Sequence, residues 1–581
     1  MHEDASVALF TRQGSPHGTL SCREGSVVAL FGEIYNLQEV WPAPDGSGDA
    51  MASLHDLAWS PRLLEVLPRL NGSFLIVACD GASERLRLIP DRHGSWKCFV
   101  GERDGALWFF PHLHYFLGCG FRARIDRELL VQYLTLTWLF AGRTVVEGVR
   151  SVPHGTVLEA SRDGIEHHRY WAWRFDESRQ ELDDPAAAVA ELDRLWMRAV
   201  ERRLADKSRV VVPISGGLDS RAILAAAVEC KPADDILGVT FGTPGTFDYE
   251  LGRLCAQAAG VRHKTIDLST PRDYRAEYLR HAVDTDGLVG IFWPFLSDWA
   301  VLASHSRDLA VGFMGDLLMG TKMPKRPFSE RPDDEHAALA AARDVRQDIP
   351  TPIAARLCGL GTAECDELIL DLMAATNHGN PHRILANYAH CWDIPARQGG
   401  FTAPLVLRLR EDFHYLFPFL DTELVDFLLR LPVAWRKGQR LYRRSLVERF
   451  PLLAGLPTTR LHGGALTDGA WARARRSFAA FLRKHLERAS LGAIPAYTRH
   501  KEALRRKRVN TLDYGLLMQA DPQFQALCQT NLSRLAERGV LNADAIHALW
   551  REHLAGQARH DRVLMVLTCI EFIFATFVDR R

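Results

Sequence analysis

The sequence lacks an excess of charge of either sign, because 71 Lys and Arg residues balance 71 Asp and Glu residues in a chain of 581 residues. This balance argues against a general binder of nucleic acid or of anionic membranes, although it does not exclude a local basic patch. The chain is too long for one hydrophobic core and predicts two to four domains. We therefore expect a multidomain protein without a nucleic-acid partner.

Cysteine is sparse, and the eleven cysteines form no Cys-x-x-Cys pair. A scattered, odd-numbered set in apolar surroundings predicts reduced, buried thiols. The first residues, MHEDASVALF, lack the basic region and the long apolar run of a signal peptide. The apolar stretch DRVLMVLTCIEFIFATFV contains Glu571, which favours a buried core helix over a membrane span. These features predict a cytoplasmic protein with no membrane span.

The chain divides into regions with different patterns. Short apolar runs bounded by Gly, Asp and Pro predict that residues 1 to about 175 are β-rich. From Arg209 onward, strand-like and helix-like segments alternate, which predicts βαβ units and a mostly parallel sheet. Beyond about residue 335 the chain is largely helical. The predicted fold class is α/β and α+β, with domains at 1–178 and 179–581.

A basic stretch occupies residues 470–509. It is interpreted as a solvated, salt-bridged helical face. The alternative is a docking surface for an acidic peptide or partner protein.

The segment RVVVPISGGLDSRAILAAAVE joins a strand-like run to an alanine-rich helical pattern. Gly216 and Gly217 allow a tight turn that brings backbone N–H groups close to a ligand. The partial positive charge at the start of a helix favours an anion there, and Ser215 and Ser220 can add hydroxyl donors. The pattern predicts a phosphate or pyrophosphate site. Asp219 is compatible with a phosphate if Mg²⁺ lies between them.

The competing interpretation of this junction is an ordinary strand-to-helix turn capped by an Asp or a Ser. Local capping requires neither two glycines nor both serines, so the phosphate interpretation is favoured. The junction is not a Walker A loop, because the Gly-Lys-Ser/Thr ending is absent.

SGGLDS after an apolar strand resembles the pyrophosphate loop of the ATP pyrophosphatases, which cleave ATP to AMP and pyrophosphate. Further segments resemble the asparagine synthetase branch. GEIYN at 32–36, LNGSFLIVACD at 70–80 and DRHGSWKCFV at 91–100 resemble its class II glutaminase domain. VGFMGDLLMG at 311–320 and FPFLD at 417–421 resemble its Gly-x-Gly-Ser-Asp-Glu and Val-Pro-Phe-Leu-Asp segments. The resemblance implies an Ntn-type β-sandwich followed by a parallel-sheet ATP pyrophosphatase domain with a helical extension.

This resemblance also implies roles for individual residues. Asp219 and Asp316 would hold the Mg²⁺ that bridges the ATP phosphates, as two hard carboxylates from separate loops suit Mg²⁺. Asp316 could alternatively cap a helix beginning at Leu317. The resemblance implies that Arg460 and His462 stand at the positions of a family Arg and Lys that stabilise the adenylate, with another cation as the alternative to His462. The implied nucleotide-binding residues are Ile214, Ser215, Gly216, Gly217, Leu218, Asp219, Ser220, Thr240, Phe241 and Gly312.

The sequence departs from the glutaminase pattern at two places. Position 2 is His2 instead of the family's nucleophilic cysteine, and Phe31 replaces the Asn that helps to stabilise the oxyanion. His2 could act as a substitute base, but a disordered terminal histidine is the favoured interpretation. We therefore expect a degenerate glutaminase domain, so that the nitrogen comes from an amine on the substrate or on another molecule.

Family members with this loss include β-lactam synthetases and lasso peptide cyclases. The β-lactam enzymes have a Tyr where this chain has Phe313, so the lasso cyclase branch is favoured. It implies ATP and Mg²⁺ as cofactors, a peptide substrate whose Asp or Glu side chain is joined to its N-terminal amine, and a leader-binding protein and a protease as partners. The rivals are an ammonia-dependent amide synthetase, a β-lactam-type synthetase and a non-enzymatic binding module.

Overall fold

We describe the protein from a computed structural model. The structure describes residues 18–579 apart from residues 24, 45, 179–180, 271, 294–301, 378, 411, 462–463, 470, 473, 476–477 and 479–511. His2, His462 and most of the basic stretch at 470–509 therefore lie outside the described residues.

The first part of the chain contains two antiparallel sheets. One has the strand order β1-β2-β3-β4-β8-β9 and the other has the order β6-β5-β7. The strands are β1 (Gly18–Arg23), β2 (Ser26–Ile34), β3 (Gly72–Asp80), β4 (Arg85–Pro90), β5 (Phe99–Arg103), β6 (Ala106–Phe110), β7 (Val149–Ser151), β8 (Thr156–Ser161) and β9 (Gly164–Arg169).

Side chains of β3 alternate between two separate cores, as expected for a strand with a period of two residues. Phe74 and Ile76 pack in the core that includes Leu54 and Leu57 of the helix Ala50–Trp59. Leu75, Val77 and Cys79 pack on the opposite face, against residues of the smaller sheet and its neighbouring loops. The larger sheet is therefore covered on both faces.

A parallel sheet follows, with the order β12-β11-β10-β13-β14. Its strands are β10 (Val210–Pro213), β11 (Ile236–Gly242), β12 (Arg262–Asp267), β13 (Asp308–Ala310) and β14 (His414–Leu416). The chain moves outward from β10 to β12 on one side and then continues at β13 on the other side of β10. Connections leave β10 and β13 in opposite directions, which opens a crevice at their carboxyl ends.

Helices surround the parallel sheet and make up most of the later chain. The α-helices are Leu37–Val40, Ala50–Trp59, Leu63–Val66, Leu113–Gly118, Arg127–Leu136, Pro185–Leu204, Asp219–Cys230, Phe247–Ala259, Tyr274–Asp284, Gly315–Leu318, Glu335–Arg343, Thr351–Cys358, Thr362–Ala374, Leu385–Arg397, Ala403–Val406, Thr422–Leu429, Val433–Arg436, Arg440–Arg449, Pro451–Ala454, Tyr514–Ala520, Pro522–Glu537, Ala543–Leu554 and Asp561–Ile573. One-turn 3₁₀ helices include Pro418–Leu420 and Thr459–Leu461, and π-helical turns lie at Gln398–Thr402 and Phe574–Val578.

The apolar segment that begins at Asp561 forms a helix whose side chains from Val563 to Ile573 are all buried in the core. Within the described residues, no helix has the length and apolar character needed to cross a membrane. Each of the eleven cysteines is a free thiol; Cys22 is exposed, whereas Cys528 and Cys569 lie in the core.

Candidate nucleotide-binding site

The loop that follows β10 is organised by its own hydroxyl groups. The buried apolar run of β10 places the loop at the carboxyl edge of the sheet, and the helix Asp219–Cys230 begins directly after it. The amide of Ser215 donates to Ser220 Oγ at 3.1 Å, and the amide of Gly217 donates to Ser215 Oγ at 3.2 Å. The hydroxyl groups of the two serines therefore fix the shape of the turn. The first residues of the helix Asp219–Cys230 lie at the end of this turn.

Gly216 lies where another segment approaches closely. A Cβ atom at this position would lie 2.6 Å from Thr459 Cγ2, so a larger residue would displace that segment. Its amide donates to Asp248 Oδ1 at 3.0 Å, from the first turn of the helix Phe247–Ala259. The loop after β10 is thus held between the segment that contains Thr459 and the helix Phe247–Ala259.

Asp219 faces the loop that follows β13. A Cβ atom at Gly315 would lie 2.8 Å from Asp219 Cγ, and one at Gly312 would lie 3.0 Å from Asp219 Cβ. Only glycine fits these positions without movement of the aspartate. The structure therefore brings the Asp219 carboxyl group against the segment that contains Gly312 and Asp316, at the crevice between β10 and β13.

Asp316 lies inside the first turn of the helix Gly315–Leu318, so it is not the cap of a helix beginning at Leu317. The residue before this helix, Met314, is buried and has a φ of 71°, a region that strongly favours glycine. Asp316 Oδ2 accepts a hydrogen bond from Thr321 Oγ1 at 3.3 Å. Burial lowers the pKa of Arg397, and the Asp316 carboxylate acts in the opposite direction, so a cation lies near this aspartate.

Thr240 lies in β11 and links this strand to the start of the loop after β10. Its buried hydroxyl donates to the carbonyl of Ile214 at 3.0 Å and lies 3.0 Å from His263 Nε2. Since the hydroxyl has one hydrogen, the histidine is the donor in the second contact. Burial lowers the pKa of His263, which favours the neutral imidazole, here with its hydrogen on Nε2. Phe241 follows at the end of β11 and is half-buried.

Residues 456–461, which we call the cover segment, lie against the β10 loop. Thr458 Oγ1 and the amide of Thr459 both donate to the carbonyl of Gly216, at 2.9 and 3.1 Å. Arg460 follows directly in the 3₁₀ helix Thr459–Leu461, so its backbone lies beside the loop. The two threonines directly precede the predicted arginine in the sequence, but their contact with Gly216 was missed.

Arg221 holds the cover segment in place. Its buried guanidinium donates to the carbonyls of Leu453, Leu456 and Pro457 at 2.7 to 2.9 Å. Burial lowers the pKa of this arginine. Sequence reasoning missed Arg221, because it stands in a helical pattern and its partners are more than 200 residues away.

The donor set at the crevice fits a Mg²⁺ ion bound together with phosphate groups. Asp219 and the Asp316 loop come from separate strands, and Mg²⁺ is usually held by one or two carboxylates while phosphate and water fill its other positions. Because Gly312 and Gly315 have no side chains, the side chain of Asp219 fits beside them. Asp219 and Asp316 would hold the ion, which would neutralise charge on the phosphates.

In the first part of the chain, aromatic rings fill the region around Gly32. A Cβ atom at Gly32 would lie 2.5 Å from Trp96 Nε1, and Phe31 lies 6.3 Å from Trp96 between ring centroids. The neighbouring Glu33 pairs with Lys207 at 2.6 Å and with His414 at 3.4 Å. The cavity beside Trp96 measures about 10 Å³, which is the space of roughly one water molecule.

Two domain families match consecutive parts of the chain. Residues 11–171 match a glutamine amidotransferase domain, and residues 191–304 match asparagine synthase. The fold and these matches define a protein that combines an amidotransferase-type domain with an amide-synthase-type domain. In these two parts the chain is similar to a glutamine amidotransferase domain and to asparagine synthase.

Individual relatives agree with this description. The chain is 27% identical over 331 residues to a "Putative asparagine synthetase (glutamine-hydrolyzing)" of Mycobacterium tuberculosis, covering 53% of this chain and 49% of that protein. It is 27% identical to asparagine synthetase (glutamine-hydrolyzing) 3 of Bacillus subtilis, covering 34% and 33%. It is 24% identical to the carboxyethyl-arginine beta-lactam-synthase of Streptomyces clavuligerus, covering 62% and 68%. The chain spans about half the length of the first of these relatives.

Proposed function

We propose that this protein is an ATP-dependent, amide-bond-forming ligase that adenylates a carboxylate without using glutamine as its nitrogen source. The observation that carries the proposal is the contact of Asp219 with the Gly312–Asp316 segment at the crevice between β10 and β13. At this place a glycine-rich turn, a helix start and two carboxylate-bearing loops converge, as binding of a metal-bridged triphosphate requires.

The proposed reaction has two steps. A substrate carboxylate attacks the α-phosphorus of ATP, and pyrophosphate leaves as the acyl-adenylate forms. The loop amides and the cation of Arg460 would stabilise the departing charge. An amine then attacks the acyl carbon, AMP departs with the bonding electron pair, and the amine loses its proton. The Ser215–Ser220 turn binds and orients the phosphates throughout.

The packing around Gly32 supports a nitrogen source other than glutamine. The position next to Gly32 is Phe31, which offers no hydrogen-bond donor to an oxyanion. Trp96 closes the adjacent space, and Glu33 is engaged by Lys207 and His414.

We further propose that the substrate is a peptide and that the amine is its own N-terminus, as in a lasso peptide cyclase. Phe313, in the loop next to Asp316, is buried and packs on Phe417 at 5.3 Å, so no base stands where the β-lactam enzymes have their Tyr. Holding both reacting groups on one chain replaces a bimolecular encounter by an intramolecular one. This proposal includes a leader-binding protein and a protease as pathway partners in the cytoplasm.

A β-lactam-type synthetase acting on a small molecule is the second candidate. The match to the carboxyethyl-arginine beta-lactam-synthase favours it, since that match covers more of this chain than the two asparagine synthetase matches do. Such an enzyme would need a base in place of Phe313.

Mass spectrometry with paired peptides tests the choice. The protein is incubated with ATP, Mg²⁺ and a peptide that has a free N-terminus and an internal Asp or Glu; the matched control peptide is N-acetylated. We expect AMP release and loss of one water from the free peptide. The acetylated peptide should lose no water, although its carboxylate can still be adenylated.

Two results would overturn the cyclase proposal while keeping the ligase. One is amidation by free ammonium, and the other is pyrophosphate release with a β-amino acid but not with the peptide that has a free N-terminus. Asp219→Asn serves as the inactive control in both assays.

A further inference from the structure

Two histidines and a buried carboxylate meet at the contact between the two matched domains. His112 and His114 lie at the start of the helix Leu113–Gly118, directly after β6. Asp286 follows the helix Tyr274–Asp284 and has a left-handed φ of 54°. One ligand atom from each of the three residues lies within 4.8 Å of the other two.

The distances in this cluster are close to those between the ligands of a bound ion. His112 Nδ1 lies 3.3 Å from each carboxylate oxygen of Asp286, which is longer than the usual hydrogen bond of about 2.9 Å. In a tetrahedral zinc site with bonds of about 2.1 Å, neighbouring ligand atoms lie about 3.4 Å apart. The widest separation in the cluster therefore needs to close by no more than about 1.4 Å.

Neighbouring groups orient the ligands. The amide of Leu113 donates to Asp286 Oδ1 at 2.8 Å, which fixes the carboxylate. The rings of His112 and His114 stack at 5.5 Å with an angle of 22°, and Tyr115 lies 4.1 Å from His114. The backbone hydrogen bond to Asp286 is the kind of contact that orients a metal-ligating carboxylate.

The surrounding charges select the kind of metal. Lys97 and Arg410 both interact electrostatically with Asp286. The positive charge of each disfavours a metal cation beside this carboxylate. A hard cation held mainly by charge is disfavoured, whereas imidazole nitrogens suit zinc. Arg410 donates to the carbonyl of Pro111 at 2.7 Å, so its guanidinium is engaged beside the cluster.

We propose that His112, His114 and Asp286 form a Zn²⁺ site, distinct from the crevice between β10 and β13, that ties the amidotransferase-type domain to the synthase-type domain. The cluster contributes three ligands, with water as the fourth. Because the histidines come from one domain and the aspartate from the other, the metal would stabilise the contact between them.

Zinc binding to the full-length protein tests this site. Chelator-treated protein is dialysed against zinc chloride without ATP, and bound zinc is measured by mass spectrometry. We expect about one zinc per chain, and a rise in unfolding temperature that grows with zinc concentration. His114→Gln should weaken binding at least about tenfold.

Two variants act as controls. His336→Gln removes an exposed histidine that pairs with Asp371 at 3.1 Å, and it should leave zinc binding unchanged. The double variant Asp219→Ala and Asp316→Ala should also keep the zinc, which separates this site from the nucleotide site. The proposal is overturned if no zinc binds, if His114→Gln binds as tightly as the wild type in folded form, or if the double variant loses the zinc.

Discussion

Asp219 is the residue on which the proposed chemistry depends most. Its carboxyl group lies against Gly312 and Gly315 at the crevice. We expect Asp219→Asn to reduce ATP-dependent pyrophosphate release by about two orders of magnitude, because a metal–phosphate contact contributes several kcal/mol. Asp104→Asn, at an exposed turn, is the matched control and should retain activity. Equal rates for the two variants would refute the metal-binding role.

Arg221 is a second single residue on which the site depends, because it holds the cover segment in place. Replacing it by Met removes three hydrogen bonds from a cation to the backbone before and within the cover segment, each worth roughly 1.5–3 kcal/mol. We expect kcat to fall by about tenfold or more, and hydrogen exchange of the Thr459 amide to increase. Arg194→Met, on an exposed helical face, should change neither quantity. Unchanged exchange at Thr459 would show that Arg221 does not position the segment.

At the scale of elements, the loop after β13 must approach the helix that begins at Asp219. Alanine at Gly315 would place its Cβ 2.8 Å from Asp219 Cγ and from the ring of Phe419. We expect Gly315→Ala to lower activity more than it lowers the unfolding temperature, since the aspartate is displaced. Gly118→Ala meets open space and is the control. Full activity of Gly315→Ala would contradict the described contact.

Sequence patterns predicted the elements that have a clear period or composition. The run VVVP and the alanine-rich segment after it form β10 and the helix Asp219–Cys230, as expected. The strand β14 was missed, because its three residues lie in a part of the chain that was predicted to be largely helical. The contacts of Arg221 and Thr458 were missed because hydrogen bonds between segments more than 200 residues apart leave no local pattern.

At the scale of the whole molecule, the two domains share a buried polar joint around Asp421. Its carboxylate accepts from Asn71 at 2.7 Å, from Arg203 at 2.8 Å and from Arg202 at 2.9 Å. Burial acts to raise the pKa of Asp421, but Arg203 and the hydrogen bonds lower it overall. The aspartate of the FPFLD segment is thus a structural residue in this protein.

We expect Asp421→Ala to destabilise the protein by about 3–5 kcal/mol, because it leaves buried Arg203 without its carboxylate. Urea denaturation measures this change. Asp426→Ala is a milder comparison, since that carboxyl group is about half exposed although it pairs with Arg92. A loss below about 1 kcal/mol for Asp421→Ala would contradict the importance of the joint.

Acidification should also weaken the fold. Burial lowers the pKa of His281 to about 3 and that of His390 to about 4. Between these values and about 6.5, the unfolded chain binds protons that the folded chain does not, so stability falls as the pH falls. The two histidines together give a slope of up to about 3 kcal/mol per pH unit. Denaturation midpoints at pH 7.5, 6.5 and 5.5 measure it, and equal midpoints would contradict the prediction.

The products of ATP cleavage test the central claim most directly. The full-length protein is incubated with ATP, Mg²⁺ and a peptide that it modifies, and the nucleotides and phosphates are separated by chromatography. The account predicts AMP and pyrophosphate in equal amounts, with neither formed by Asp219→Asn. Formation of ADP and orthophosphate would contradict it.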